Sequence, residues 1–325
     1  MKKIFIILII FLIGCTQYND LPIDSVQLVY SPTWFSDKSH SKIAFLYKTF
    51  NPKNSTYKLF LYSASLDGSS KQILKELSLP NFSTLECSPN GEKFLISSNL
   101  TNEIFVMDRN GENFIKIDDG ESPTWGPLNN QIVYLTSDKT IVRLTDISIP
   151  PYSNYRKDIP VTLTQDSYIE KSLSDPSQNI KAFYPTWTSD GMRIQWLSLI
   201  PDKSKDIIKQ TLYLYIYDIQ LKSYSRIKLL TMDPILTGKG SWSPDKTKLV
   251  FSHINRLYLL KMDGSPPVEL TSGREYIEGV NCQWSPDGNS IIYDRFINKN
   301  QSDILLYDIN SNIEYKIIDY SDIIS

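Results

Sequence analysis

A short turn motif recurs six times along the chain with the same flanking residues, and this repeat constrains the fold more than any other feature. Its clearest copy is NCQWSPDG at 281–288, followed by an apolar triplet at 291–293. One column of the repeat holds Trp or Cys, and its members are Trp34, Cys87, Trp125, Trp187, Trp242 and Trp284. In five copies the triplet begins seven residues after this column, and in the first copy it begins nine residues after it. Such regular spacing indicates one structural unit repeated along the chain.

Each copy continues with a second apolar strand, a polar turn and a further short strand. The segment IFVMD at 104–108, for example, is followed by the turn RNG at 109–111. Asn-Gly or Asp-Gly between two apolar runs indicates a β-hairpin, because such turns need positive φ angles. The columns lie 53, 38, 62, 55 and 42 residues apart, which is the range of propeller blades. The sequence therefore predicts an all-β fold, a six-bladed β-propeller of four-stranded antiparallel blades.

The Trp and Cys column is expected to be structural. A four-stranded unit covers its faces only by packing against its neighbours, so the column Trp residues are predicted to pack between adjacent blades. Cys87 occupies the same column and is expected to be a small buried hydrophobic residue. A disulfide between Cys87 and Cys282 is not expected, because the first blade separates their two blades and a disulfide needs close Cα atoms.

The first fifteen residues, MKKIFIILIIFLIGC, have the pattern of a targeting segment. Their apolar run at 4–13 has ten residues, half of the roughly 20 that span a bilayer, which favours a signal peptide over a membrane anchor. The tetrapeptide LIGC at 12–15 resembles the lipobox of bacterial lipoproteins, and this resemblance implies cleavage before Cys15 and a lipid on its thiol. An ordinary signal peptide that contains a Cys is the alternative. We expect a signal peptide at 1–14, a lipidated N-terminus and linker at 15–25, and the propeller at 26–325.

The Ser-Pro-Asp-Gly turns and the six predicted blades resemble the propeller of the TolB-like family over about Val26 to Ile318. This resemblance implies a bacterial cell-envelope protein whose propeller binds another protein or a peptide and is not an enzyme. Together with the lipobox, it predicts a lipoprotein attached to a membrane outside the cytoplasm, on the periplasmic side or at the cell surface. We expect it to be a monomer.

The charge balance and the motifs that are missing exclude several classes of function. Lys and Arg number 34 against 36 Asp and Glu, the net charge is -2, and no basic run is long enough to indicate nucleic acid binding. His40 and His253 are predicted to lie on opposite faces of the propeller, so they are not expected to share a metal ion. No Cys-x-x-Cys pair, Gly-rich phosphate loop or Gly-x-Ser-x-Gly elbow occurs. The sequence therefore predicts no catalytic residue, no metal and no cofactor.

The two faces of the predicted propeller differ in their connections. The repeated turns share one face, and short turns such as that of Asp245 and Lys246 are expected to hold surface residues. The opposite face receives the longer connections, within blades at 48–58, 198–211 and 294–303 and between blades at 164–184, 230–239 and 271–280. Long connections on a rigid scaffold are the usual place for recognition, so this second face is the predicted binding face.

Five residues on the connections between blades are predicted to face the central channel and bind the partner, namely Tyr168, Glu170, Arg274, Tyr276 and Glu278. Tyr and Arg are frequent interface anchors. For each of these residues, the alternative is an ordinary solvated loop position. A second function also stays open, a carbohydrate-binding or lyase-like envelope propeller, which a channel lined by several convergent carboxylates would favour.

Overall fold

The structure is a computed structural model that describes twelve segments of the chain. These are 26–35, 42–51, 55–78, 83–98, 100–148, 150–161, 180–201, 210–232, 240–253, 256–271, 281–298 and 300–323. Outside them lie the signal segment, Cys15, His40 and the five predicted binding residues Tyr168, Glu170, Arg274, Tyr276 and Glu278. The roles given to these residues therefore stay predictions.

Within the described segments the chain forms 24 strands, which follow one another as antiparallel meanders of four. Meander I is β1 (Gln27–Phe35), β2 (Lys42–Asn51), β3 (Thr56–Ser65) and β4 (Gln72–Leu77). Meander II is β5 (Thr84–Cys87), β6 (Lys93–Ser98), β7 (Glu103–Asp108) and β8 (Ile115–Asp119). Meander III is β9 (Glu121–Trp125), β10 (Gln131–Leu135), β11 (Ile141–Asp146) and β12 (Arg156–Pro160).

The second half of the chain repeats this arrangement. Meander IV is β13 (Ala182–Trp187), β14 (Arg193–Pro201), β15 (Gln210–Asp218) and β16 (Ser223–Met232). Meander V is β17 (Gly240–Trp242), β18 (Lys248–His253), β19 (Arg256–Lys261) and β20 (Val268–Glu269). Meander VI is β21 (Cys282–Trp284), β22 (Ser290–Asn298), β23 (Gln301–Asp308) and β24 (Ile313–Ile318). The described helices are two 3₁₀ turns, Tyr152–Tyr155 and Tyr320–Ile323, and neither is long or apolar enough to cross a membrane.

The burial of each strand follows its place in the meander. The predicted apolar triplets lie in the second strands, which is confirmed for β2, β6, β10, β14, β18 and β22. These strands are apolar at consecutive positions because neighbouring meanders cover both of their faces. The fourth strands form the outer edges and carry many exposed residues, as the first four positions of β24 show. Charged residues on such edges discourage pairing with other chains.

Meanders II, III, IV and V are separate four-stranded sheets, whereas meanders I and VI share one eight-stranded sheet. The join is a parallel pair between β1 and β23, at Gln27 with Gln301 and Leu28 with Ser302. Each buried apolar cluster belongs to two neighbouring meanders, and one cluster joins meander I to meander VI. The packing therefore runs around a closed ring, as in a β-propeller of four-stranded antiparallel blades.

A buried carboxylate reinforces the junction between meanders I and VI. Asp294 has no exposed surface, and it accepts hydrogen bonds from the backbone N–H of Ser31 at 2.8 Å and of Asn281 at 2.7 Å. The Asn281 side-chain amide donates a third bond at 2.6 Å, and Ser302 Oγ donates to the carbonyl of Val29 at 2.7 Å. A buried charge is tolerated only when its hydrogen bonds are satisfied, so these contacts hold β1 in a defined register against meander VI.

The column Trp residues are buried and connect consecutive meanders. Three indole N–H groups donate to a carbonyl of the preceding meander, Trp34 to Gln283 (3.5 Å), Trp125 to Glu86 (3.2 Å) and Trp242 to Tyr184 (2.8 Å). The indole N–H groups of Trp187 and Trp284 are buried without a partner among the described residues. The column therefore contributes both apolar packing and a set of hydrogen bonds that point backward around the ring.

Cys87 differs from its prediction, because it is half-buried and not buried. Its side chain packs against the cluster shared by meanders I and II, but it also lines the central cavity. Cys is much smaller than Trp, so it fills less of the column position than the indole does in the other meanders. Within the described part of the chain, Cys87 and the buried Cys282 form no disulfide.

Connections alternate between two faces of the ring. Links between the first and second strands and between the third and fourth strands of a meander lie on one face, called the turn face here. Links between the second and third strands, and those between meanders, lie on the other face, called the loop face. The short turns at 88–91, 188–191, 243–246 and 285–288 are on the turn face.

Three hairpins on the loop face are longer than the sequence predicted. β2 and β3 remain paired as far as Asn51 and Thr56, so the predicted connection 48–58 is mostly strand. The hairpins β14–β15 and β22–β23 also extend into their predicted connections. These boundaries were predicted wrongly because polar residues interrupt the apolar pattern, while cross-strand pairs such as Phe50 with Tyr57, whose ring centroids are 5.2 Å apart, continue the ladder. Meanders I, IV and VI therefore rise above meanders II, III and V on this face.

Some column Trp residues have a described acceptor for their indole N–H and others do not, and one variant of each kind forms a matched pair. Trp242→Phe removes an indole that donates a hydrogen bond at 2.8 Å, whereas Trp187→Phe removes one without a described acceptor. Both variants leave some empty volume, but only Trp242→Phe also removes a hydrogen bond. We therefore expect Trp242→Phe to lower the free energy of unfolding by about 0.5–1.5 kcal/mol more than Trp187→Phe does. Urea unfolding monitored by circular dichroism measures the difference. Equal losses would show that the backward hydrogen bond contributes nothing.

Candidate functional site

The first strands of all the meanders surround one central cavity of about 280 Å³. Its lining comes from 31–34, 84–87, 122–124, 184–186, 240–242 and 281–286, with a few flanking residues. The first strand is the innermost strand of each meander, so the ring arrangement brings these segments together at its axis. Most of the lining consists of small polar side chains, backbone and the edges of the column Trp residues. Concave sites of this kind are the default place for a ligand.

The residue that precedes the column lines the cavity in every meander. These residues are Thr33, Glu86, Thr124, Thr186, Ser241 and Gln283. Successive side chains of a strand point to opposite sides. Because the column Trp packs between meanders, the side chain of the residue before it points toward the cavity. Several of them accept a bond from the next meander, Thr33 Oγ1 from Cys87 N at 3.0 Å and Ser241 Oγ from Trp284 N at 3.4 Å. Glu86 is the only charged member of this ring.

The Glu86 carboxylate is hydrogen-bonded to meander III. Its Oε1 accepts a bond from Thr124 Oγ1 at 3.0 Å and one from the backbone N–H of Trp125 at 3.3 Å. The side chain is partly accessible and lines the central cavity. Burial raises the pKa of Glu86 to about 7, although these two hydrogen bonds and the charge of Lys246 oppose the rise. Glu86 is therefore poised between its neutral and ionised forms near neutral pH.

Lys246 reaches the same cavity from the turn after β17. Lys246 is half-buried in this short turn, and it contributes to the cavity lining. Its backbone has φ of 61°, in the left-handed region, and its carbonyl accepts a bond from Gln195 Nε2 at 3.4 Å. Burial lowers the pKa of Lys246, while the nearby charges of Glu86 and Asp245 oppose this change.

Gln283 narrows the cavity on the side of meander I. Its Nε2 donates to the carbonyl of Leu85 at 2.9 Å, so a side chain of meander VI bonds directly to meander II. This contact crosses the cavity lining beside Glu86. Glu86 is the one carboxylate among the described residues that line it, so the several convergent carboxylates that would favour a carbohydrate lyase are not found there.

The residues singled out from the sequence and those that the structure brings together are different sets. The five predicted binding residues lie outside the described segments, and His253 is the last residue of β18, half-buried against the Tyr258 ring with its pKa lowered by burial. No group of three or more His, Cys, Asp or Glu side chains is placed for a metal ion within the described part of the chain. Sequence reasoning missed Glu86 and Lys246, although each is a visible departure from the repeat.

Comparison with known proteins identifies the architecture. The structure is similar to TolB from Acinetobacter baumannii, with 13% identity over 84% of this chain and 75% of that chain and a TM-score of 0.50. It is similar to a putative TolB from Agrobacterium tumefaciens, with 14% identity over 79% of this chain and 87% of that chain and a TM-score of 0.51. The β-propeller domain of Cps50 (Swd1) from Myceliophteria thermophila has 10% identity over 88% of this chain and 99% of that domain, with a TM-score of 0.53.

No protein-family model and no curated protein matches the sequence. At identities of 10–14% the likeness to solved structures shows the fold alone. That fold is a TolB-like β-propeller, as the sequence repeat predicted.

The raised pKa of Glu86 predicts a pH dependence of stability. Between the ordinary Glu value of 4.5 and about 7, the folded protein keeps a proton that the unfolded chain releases. The stability contributed by protonated Glu86 is therefore full below about pH 4.5 and is lost as the pH rises through about 7. Glu86→Gln stays neutral, so from about pH 5 to about pH 8 it should lose about 2 kcal/mol less stability than the parent protein. Urea unfolding at several pH values measures this, and parallel curves would contradict it.

Proposed function

We propose that this protein is a lipid-anchored lipoprotein of the bacterial cell envelope whose propeller is a non-catalytic scaffold that binds a protein or a peptide. The proposal combines the lipobox at 12–15, the resemblance to the TolB-like family and the shape of the loop face. In this interpretation meanders I and VI are the first and last of six blades. The apolar cluster that they share, of the same kind as the clusters between the other neighbours, supports this count.

The observation that carries the proposal is the uneven height of the loop face. The hairpins β2–β3, β14–β15 and β22–β23 stand above the shorter hairpins of meanders II, III and V. Meander IV lies opposite meander I in the ring, and meander V separates it from meander VI, so the tall hairpins stand on two sides of the cavity mouth. Raised walls on a rigid scaffold suit the recognition of a folded surface or an extended peptide. On the turn face, the described turns at 88–91, 188–191, 243–246 and 285–288 are short.

The hairpin β2–β3 presents an aromatic side chain suited to be an interface anchor. Tyr57 is 47% exposed, its ring packs edge-on against Phe50, and Lys48 Nζ lies 4.6 Å from the ring centroid. The ring is thus held in place while much of its surface remains accessible. Tyr residues with restricted side chains lose little entropy on binding and are frequent hot spots.

The position of β1 determines which face of the ring lies nearest to the proposed lipid anchor. The backbone N–H of Gln27 donates to the carbonyl of Asn300 at 2.7 Å, and Phe50 N–H donates to the carbonyl of Val26 at 3.4 Å. The chain therefore enters the ring beside the tips of two tall hairpins on the loop face. The 11 residues from Cys15 to Val26 reach at most about 36 Å at ~3.3 Å each. A lipid on Cys15 would hold the loop face toward the membrane, where a membrane-associated partner meets it.

Two tyrosines of equal exposure test which face binds. Tyr57 is 47% exposed on the loop face, and Tyr155 is 48% exposed in the β11–β12 connection on the turn face. We expect Tyr57→Ala to reduce crosslinking of the partner in host membranes at least tenfold and Tyr155→Ala to leave it unchanged, because an anchor commonly contributes 2 kcal/mol or more. Both variants should keep their thermal stability to within about 0.5 kcal/mol. Loss of crosslinking in the Tyr155 variant alone would show that the turn face binds the partner.

The lipid anchor is tested separately. Cys15→Ser removes the thiol of the lipobox, so it should abolish incorporation of a labelled fatty acid and release the protein from membranes or leave an uncut precursor. Cys87→Ser is the matched control, because it removes a half-buried thiol within the ring and should retain the label. Labelling that persists in the Cys15 variant would contradict lipidation at this residue.

A further inference from the structure

Glu86 and Lys246 place opposite charges on opposite walls of the central cavity. Meander II carries Glu86 and meander V carries Lys246, and three steps around the closed ring separate these meanders in either direction. Each group influences the ionisation of the other, yet no ion pair joins them. The cavity therefore separates a carboxylate from an ammonium group, and a ligand placed between them meets both charges.

Neither charge is fully satisfied by the described residues around it. Both hydrogen bonds to the Glu86 carboxylate end on Oε1, and Oε2 receives none from the described part of the chain. The Lys246 ammonium likewise has no hydrogen-bond acceptor among the described residues, where the bonds of Lys246 are made by its backbone N–H to Ser243 and by its carbonyl with Gln195. Both side chains are partly accessible within the cavity, so the unused Glu86 oxygen and the Lys246 ammonium are available to a ligand there.

Both residues replace small or neutral residues of the repeat. At the position of Glu86 the other meanders have Thr, Ser or Gln, which are neutral. At the position of Lys246 three other turns have glycine, namely Gly91, Gly191 and Gly288, each with positive φ. Lys246 adopts φ of 61° with a Cβ atom present, and this conformation is unfavourable for residues other than Gly, Asn or Asp. Lys139 and Lys222 have similar φ angles of 61° and 51°, so the backbone alone does not distinguish Lys246, but of these three lysines only Lys246 lines the central cavity.

We propose that the central cavity binds a small zwitterion, a free amino acid or a dipeptide, with its ammonium group at Glu86 and its carboxylate at Lys246. The volume of about 280 Å³ is at the low end for ligand sites and suits a molecule of this size. Charge-assisted hydrogen bonds at both ends fix its orientation, and neutral neighbours such as Thr33, Thr186 and Ser241 are available to its remaining polar groups. This site is independent of the lipid anchor and of a protein partner on the loop face.

Calorimetric titration of the full chain, purified in detergent, tests the ligand class. The probes are the common free amino acids and the dipeptide alanyl-alanine, which distinguish the two ligand sizes. We expect at least one of them to bind, and its N-acetylated and its amidated forms to bind at least tenfold more weakly, because each lacks one charge. No binding by any probe, or equal binding of the blocked forms, would overturn the proposal.

Variants of the two charged residues test the site itself. Glu86→Gln and Lys246→Gly should each weaken binding of the zwitterion at least tenfold. Lys246→Gly restores the residue of the other turns and should not lower the melting temperature, so its loss of binding cannot come from unfolding. Asp245→Asn is the control, since this exposed neighbour bonds to Ser243 and Thr247 and does not line the cavity. Unchanged affinity in the Glu86 and Lys246 variants would place the ligand elsewhere.

Discussion

Packing of each meander against its two neighbours is the interaction on which the structure depends. A four-stranded sheet has two apolar faces, and each buried cluster is completed by side chains from the next meander, as Val133 of meander III and Trp196 of meander IV illustrate. The described core therefore consists of clusters between meanders. Because the sheets must stack radially to bury these faces, their first strands converge at the axis. The central cavity is a direct consequence of this packing.

Much of this architecture is predictable, because the signals that determine it are local. A column residue such as Trp242 and the apolar triplet after it lie within one turn and two strands, so the repeat is visible in the sequence. The length of the hairpin β2–β3 was not predictable in this way, since polar residues near Phe50 and Tyr57 have the composition of a loop. What maintains the strand there is cross-strand contact, which depends on a partner that is not adjacent in sequence.

The candidate site was hidden for a different reason. In the sequence, Glu86 belongs to an inner strand and Lys246 to a turn, and both places are structural in the repeat. Their significance depends on their lining the same cavity, and a linear sequence pattern does not show which residues come together there. The departures are nevertheless visible in the structure, as a carboxyl with a raised pKa and a lysine at a turn position where three other meanders have glycine. In a repeat protein, a search for functional residues should therefore begin at positions where the residue differs from that of the other repeats.

The junction of β1 with β23 also constrains how the protein reaches its folded state. The hydrogen bond between Ser302 and Val29 joins residues 273 positions apart, so the ring cannot close until nearly the whole chain is available. Contacts this distant in sequence form slowly, because a long loop must be closed before they contribute. Until then the inner faces of meanders I and VI lack their mutual partner. If the chain crosses a membrane with its N-terminus first, β1 emerges long before meander VI. The ring would then close, and folding would be completed, only at the end of export.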